Sequence, residues 1–233
     1  MKKIITAVLL MIMGISTVSA QRYGGSVFSE RLSSSSSYYG FRFGYNTAML
    51  KFNTEKIGNS SNSGINFGFV AGFPLGESAV IFEPGILYSV KGGKTNDEKN
   101  IKTNVTMHTF ELPFVLKYDV ALPTMADVAI QPFFGGFFDL GMGGKIKAEK
   151  GGQREKLKTY SNRFARFDAG LRMGVGMRID FFYVDLAYDL GLRNLGSDSK
   201  AFCNPEAGLY PLYDDFEDSV HSGCFSVNVG INF

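Results

Sequence analysis

Apolar and polar residues alternate with a period of two in eight successive segments of this chain, which restricts those segments to strands with one apolar face. The segments are 40–50, 65–73, 80–92, 105–120, 128–142, 164–179, 182–192 and 224–233. The last is the most regular, with Phe225, Val227, Val229, Ile231 and Phe233 alternating with Ser226, Asn228, Gly230 and Asn232. The links also follow a rule. Those at 51–64, 93–104, 143–163 and 193–223 are long, and those at 74–78, 121–127 and 180–181 are short. Strands running up and down around a ring, with loops at one end and tight turns at the other, produce this series. The expected fold is all-β: an eight-stranded antiparallel up-and-down transmembrane β-barrel with short periplasmic turns and long extracellular loops.

Alternation alone does not say which face points inward, and a soluble, lipocalin-like barrel is the rival arrangement. Side-chain volume separates the two. The apolar face carries about eighteen aromatic rings, Phe69, Phe134, Phe138 and Phe225 among them, and an eight-stranded barrel is just wide enough for ordinary side chains to fill. The rings therefore belong outside, against lipid. The other face carries glycines and nearly balanced charge. Arg42, Lys91, Lys117, Arg172, Arg178 and Arg193 stand against Glu83, Glu111, Asp119, Asp139, Asp168, Asp185 and Asp189. A buried charge without a partner is costly, so these groups are expected to pair inside a plugged lumen.

The N-terminus fits export. Lys2 and Lys3 precede an apolar run from Ile4 to Met13, and Val18, Ser19 and Ala20 supply small residues before a cut after Ala20. A short N-terminal membrane anchor is the alternative. The expected organisation is a signal peptide over 1–20, a flexible Ser-rich leader over 21–37 and the barrel over 38–233. Without Lys2 and Lys3 the mature chain balances 22 basic against 22 acidic residues, which offers nucleic acid no electrostatic footprint. No later stretch is apolar enough for a membrane-spanning helix, so only a barrel could cross a bilayer. Phe233, an aromatic residue ending an alternating strand, is the expected signal for the outer-membrane assembly machinery. The expected location is the outer membrane of a Gram-negative bacterium.

Cys203 and Cys224 form a possible disulfide, which export permits; two free thiols are the alternative. No cofactor motif is present. The run Gly141-Met142-Gly143-Gly144-Lys145 faintly resembles a phosphate loop, but it lacks the Ser or Thr after the lysine and leads into no helix. The two histidines, His108 at a strand end and His221 in the last loop, lack the nucleophile and orienting group that a catalytic triad needs. The chain is therefore expected not to be an enzyme. An Asp168–Arg172 pair could serve a proton or ligand path, with a structural plug the simpler reading. Two long loops carry opposite charge. Residues 144–163 hold seven basic and two acidic side chains, and residues 194–223 hold one basic and six acidic. They could attract each other across the barrel mouth. Alternatively the lysines could meet lipopolysaccharide phosphates, and Asp214, Asp215, Glu217 and Asp218 could offer Ca²⁺ hard oxygen ligands.

Several short motifs occur in a familiar order. The run from Glu83 to Lys94 (EPGILYSVKGGK), the run from Glu111 to Tyr118 (ELPFVLKY), Gln131-Pro132-Phe133-Phe134-Gly135-Gly136, Phe167-Asp168-Ala169-Gly170 and the run from Ala187 to Leu195 (AYDLGLRNL) resemble successive strands of the PorT-like small outer-membrane β-barrel family. The resemblance covers nearly the whole mature chain. It implies a porin-like outer-membrane fold and, from the member that gives the family its name, a link to protein secretion. The long Cys-containing last loop departs from that pattern. The leading expectation is a structural or binding surface module. Its partners would be outer-membrane lipid and lipopolysaccharide, the assembly machinery, and envelope or secreted proteins met by the long loops. A small-solute porin or transporter is the alternative, and a lipid-modifying membrane enzyme a third class.

Overall fold

The computed structural model describes residues 37–52, 57–97, 102–122, 128–150, 153–159, 165–195 and 220–233. The signal segment, the leader up to residue 36, Cys203 and the cluster Asp214, Asp215, Glu217 and Asp218 lie outside these residues, so the expectations placed on them do too.

All the regular structure described is strand. In chain order the strands are β1 (Tyr38–Phe52), β2 (Ile57–Pro74), β3 (Val80–Asp97), β4 (Lys102–Tyr118), β5 (Val120–Ala121), β6 (Val128–Lys150), β7 (Gln153–Lys158), β8 (Phe167–Ile179), β9 (Phe182–Gly191) and β10 (Val220–Asn232). Eight of them close a ring. Each of β1, β2, β3, β4, β6, β8, β9 and β10 pairs antiparallel with the next, and β10 returns to β1 with Gly40 opposite Asn232 and Phe52 opposite Val220. Backbone bonds carry the seam to the chain end: Phe233 N–H donates to Tyr39 O (2.8 Å) and Tyr39 N–H to Phe233 O (3.0 Å). The short β5 continues β4 along β6 in the same register, and β7 pairs with the upper part of β6.

Closure sorts the side chains as the alternation requires. Phe69 (60% exposed), Phe134 (55%), Leu140 (55%) and Val229 (52%) stand on the outer wall, a continuous apolar surface suited to lipid. Arg42, Glu83, Glu111 and Lys117 are buried inside. At the turn end, β8 reverses into β9 through the two residues Asp180 and Phe181, with Asp180 at φ 52°, a backbone state that Asp tolerates better than most residues.

Most strands run further than the alternation suggests, β1, β2, β3, β4, β6 and β10 at the long-connection end and β1 and β2 by a residue or two at the turn end as well. Residues 57–64, assigned to a loop by their polarity, belong to β2 and pair with β3 as far out as Ile57 opposite Asp97, with a register irregularity between Ser61 and Asn66. Residues 143–150 likewise continue β6, and β7 folds back on it. Beyond the lipid, water covers the outer face, so pairing needs no apolar alternation and the sequence loses its period. Smaller boundaries also move. β4 breaks at Asp119 and resumes in register as β5, β8 begins at Phe167 rather than 164, β9 ends at Gly191 rather than 192, and His221 lies in β10 rather than in the last loop.

One irregularity decides which way the upper part of β6 faces. Thr109 pairs with Gly141 but His108 pairs with Gly143, so Met142 is an extra residue in β6. Below it Asp139 is buried and Leu140 exposed; above it Lys145 and Lys147 are exposed and Ile146 is buried. The glycines around Met142, read above against a phosphate loop, are those of a β-bulge.

Candidate functional site in the barrel lumen

Inward-facing charges from six strands converge in two groups. The group nearer the turns centres on Glu83 of β3. Its Oε2 accepts from Lys117 Nζ of β4 (2.9 Å), from Arg42 Nη2 of β1 (3.3 Å) and from the Tyr38 hydroxyl. Lys117 Nζ also donates to Tyr183 Oη of β9 at 2.6 Å, and the Arg42 guanidinium lies 4.1 Å from the centre of the Tyr183 ring. The group nearer the long connections centres on Lys91 of β3, which reaches Glu111 (2.7 Å), Asp139 (2.8 Å) and Asp189 (3.6 Å). Arg172 of β8 completes it by pairing with Glu111 and with Asp189 at 3.4 Å. The first group sets two cations against one carboxylate and the second two cations against three, so their formal charges offset along the barrel. All the charged side chains of the two groups are buried, which makes their mutual geometry worth far more than that of surface pairs.

Around the two groups the lumen is packed. Phe133, Phe137 and Tyr183 point inward, and β8 accommodates them with glycine. A Cβ at Gly174 would strike the Phe133 ring, one at Gly176 the Tyr183 ring, and one at Gly170 the Phe137 ring. Asp185 accepts from Asn228 Nδ2 at 2.6 Å, and Asn46 Nδ2 donates to Ser89 Oγ at 3.0 Å. At the long-connection end Leu50, Val105, Met107, Ile146, Leu195 and Val220 form a buried apolar cluster above the charges. The cavities beside the two charge groups measure only about 20 and 30 Å³. A larger one, about 240 Å³, opens at the turn end between Tyr38, Gln131, Arg178 and Phe233.

Most of the expected lumen charges are brought together, with two differences. Arg193 is not in the lumen: it is exposed beyond the end of β9, donates to Phe167 O (3.1 Å) and sits 5.3 Å from the centre of that ring. It follows Gly191, the last residue of β9, so strand periodicity no longer places it. Asp168 and Arg172 do not form an ion pair. Asp168 accepts from Ser222 Oγ (2.5 Å), while Arg172 turns to Glu111 and Asp189 across the barrel. Arg178 pairs with Asp119 at 3.2 Å near the turn end. Among the described residues no group of three or more His, Cys, Asp or Glu side chains is arranged to hold a metal. Cys224 is a buried free thiol on the inner wall. His108 lies on β4 and His221 on β10, four steps apart in the ring of eight; His108 Nδ1 instead meets Tyr88 Oη at 2.7 Å.

The family model for the outer membrane protein beta-barrel domain matches residues 20–196. The chain belongs to this family. It is an outer-membrane β-barrel protein, and the closed ring and apolar outer wall are those of the beta-barrel domain. No curated protein matches the sequence. Solved structures similar to this barrel include Ail, the attachment invasion locus protein of Yersinia pestis, at 16% identity and a TM-score of 0.41, covering 84% of this chain and 98% of Ail. Neisserial surface protein A is similar at 13% identity and a TM-score of 0.46, covering 85% of this chain and 100% of that one. OprG of Pseudomonas aeruginosa is similar at 9% identity and a TM-score of 0.46, covering 84% and 95%.

Sequence reasoning missed the apolar cluster of this outer-membrane barrel. Its members are scattered through segments assigned to loops or strand ends, and the one signal was Val105 and Met107 alternating with Thr106 and His108. It also missed the inward aromatics, because Phe133 and Phe134, like Phe137 and Phe138, are adjacent in sequence and only one of each pair can face lipid.

Proposed function

We propose that this outer-membrane barrel is a structural and binding module with a plugged lumen, working through the strands and loops at its long-connection end rather than by passing solute. The observation that carries the reading is the apolar cluster of Leu50, Val105, Met107, Ile146, Leu195 and Val220 stacked over a fully buried ion-pair network. A hydrated ion crossing that stack would have to displace both layers. A narrower form of the same reading, an accessory of a protein-secretion system, rests on the PorT-like motifs alone. The reading is non-catalytic, and it is supported by the two histidines standing four strands apart, too far to share a site.

Single-channel recording in planar bilayers tests the plug: purified barrel gives no discrete current steps. Stepwise conductance that scales with salt would overturn the reading and favour a small-solute porin, with the cavity of about 240 Å³ at the turn end as its vestibule. Replacing His108 and His221 by alanine leaves the envelope's lipid composition unchanged; a new or missing lipid species would point to an enzyme.

A further inference from the structure

The outer face of β6, above the Met142 bulge, is a basic wall. In register, one row across four strands reads Lys94 of β3, Asn104 of β4, Lys147 of β6 and Lys156 of β7. The row nearer the membrane reads Gly92, Thr106, Lys145 and Lys158. Lys94, Lys145, Lys147 and Lys156 are all exposed. Like charges directly opposite each other weaken a strand pair, yet Lys145 stands opposite Lys158 and Lys147 opposite Lys156 in succession. Glu149, one row further out, is in register with two more basic residues, Lys102 and Arg154. Nothing in the hairpin's own packing requires this arrangement, since Ile146 alone of these β6 residues turns inward to the apolar cluster.

The position of the wall says what would neutralise it. Immediately below, the same outward face is apolar, with Phe110, Leu140 and Met142 exposed to lipid. Phe110 pairs with Leu140 and Thr106 with Lys145. Four residues of rise on β4, about 14 Å along a strand and roughly 10 Å after barrel tilt, therefore separate Phe110 from the first lysine row, with Met142 marking the top of the apolar face between them. That height is the headgroup layer of the outer leaflet.

We infer that Lys94, Lys145, Lys147 and Lys156 form a docking face for the phosphate groups of an outer-leaflet lipid whose acyl chains lie on the apolar wall below. The lysine rows supply the positive field and Asn104 and Thr106 lie between them in register. The occupant is a lipid because wall and belt are one continuous surface. This deepens the binding-module reading but does not depend on the plug, since it holds for a conducting barrel as well.

The test uses full-length protein extracted in detergent, with heat-modifiable gel migration showing that each variant has closed. Binding is measured by native mass spectrometry against lipid A bearing both phosphates, the same lipid dephosphorylated, phosphatidylcholine, inorganic pyrophosphate and a heparin fragment. The native barrel retains the phosphorylated lipid in preference to the other four. The K145Q/K147Q/K156Q variant closes but loses that affinity by about a hundredfold, near a factor of five per lysine, while K145R/K147R/K156R keeps it. Equal retention of phosphorylated and dephosphorylated lipid, or an unchanged affinity in the closed glutamine variant, overturns the inference. Tighter binding of pyrophosphate or heparin than of the lipid also overturns it, by showing that the face serves a soluble anion.

Discussion

At the scale of single residues, Glu83 is the least replaceable side chain in the lumen. Two buried cations converge on it, and among the described residues it is the one carboxylate within ion-pair distance of either, with Asp185 acting on both from further away. Glu83→Gln keeps the shape and removes the charge, leaving like charges facing each other in a low-dielectric interior; the loss of stability should be about 3–5 kcal/mol. Urea titration of the barrel in lipid vesicles reads it directly. Adding Lys117→Met should restore part of the loss, because the second substitution removes one stranded cation. A single variant within about 0.5 kcal/mol of the native barrel would mean that the lumen hydrates Arg42 and Lys117 freely. Gly176 makes the opposite point. Its missing side chain is the space that the Tyr183 ring occupies, so Gly176→Val should cost about 1–3 kcal/mol through overpacking, seen as a lower temperature for the unfolding band shift.

At the scale of elements, the single extra residue in β6 is absorbed by a bulge rather than passed up the strand. Deleting Met142 would restore an unbroken ladder and leave Lys145 and Lys147 facing outward and Ile146 inward, because the deleted residue is the one that the bulge absorbs. The expected outcome is a barrel that still inserts and whose β6–β7 hairpin stays as protease-resistant as the native one. New cleavage among the hairpin's lysines would show that the bulge itself, and not only the pairing above it, holds the hairpin. This element also marks where the sequence stops being readable. Between the turns and the lipid boundary each strand has lipid on one side and lumen on the other, and the residues declare it: Phe138, Asp139 and Leu140 alternate without ambiguity. Above Met142 both the period and the parity change, so the lysines there read as loop. The lumen charges were legible one by one because strand parity places them. Their partners were not, since which cation meets which carboxylate depends on register across the ring. Arg172 reaching Glu111 rather than Asp168, four residues away on its own strand, is the clearest instance.

At the scale of the whole molecule, the barrel should behave as one cooperative unit. Unboiled protein should migrate faster than boiled protein on a denaturing gel, because closure holds the chain compact; identical migration would contradict a closed transmembrane ring. The seam between β1 and β10 has a further consequence. Gly40 pairs with Asn232, and Tyr39 bonds to Phe233, so the first strand waits for the last. Every other neighbour along the ring is close in sequence, and only this contact spans nearly the entire mature length, with the corresponding entropic delay. A nascent polypeptide emerging from the export channel therefore has two raw edges throughout its delivery, each a template for pairing with the wrong chain. Protection must come from outside until β10 arrives: something has to hold the half-made sheet apart from its siblings and then release it all at once.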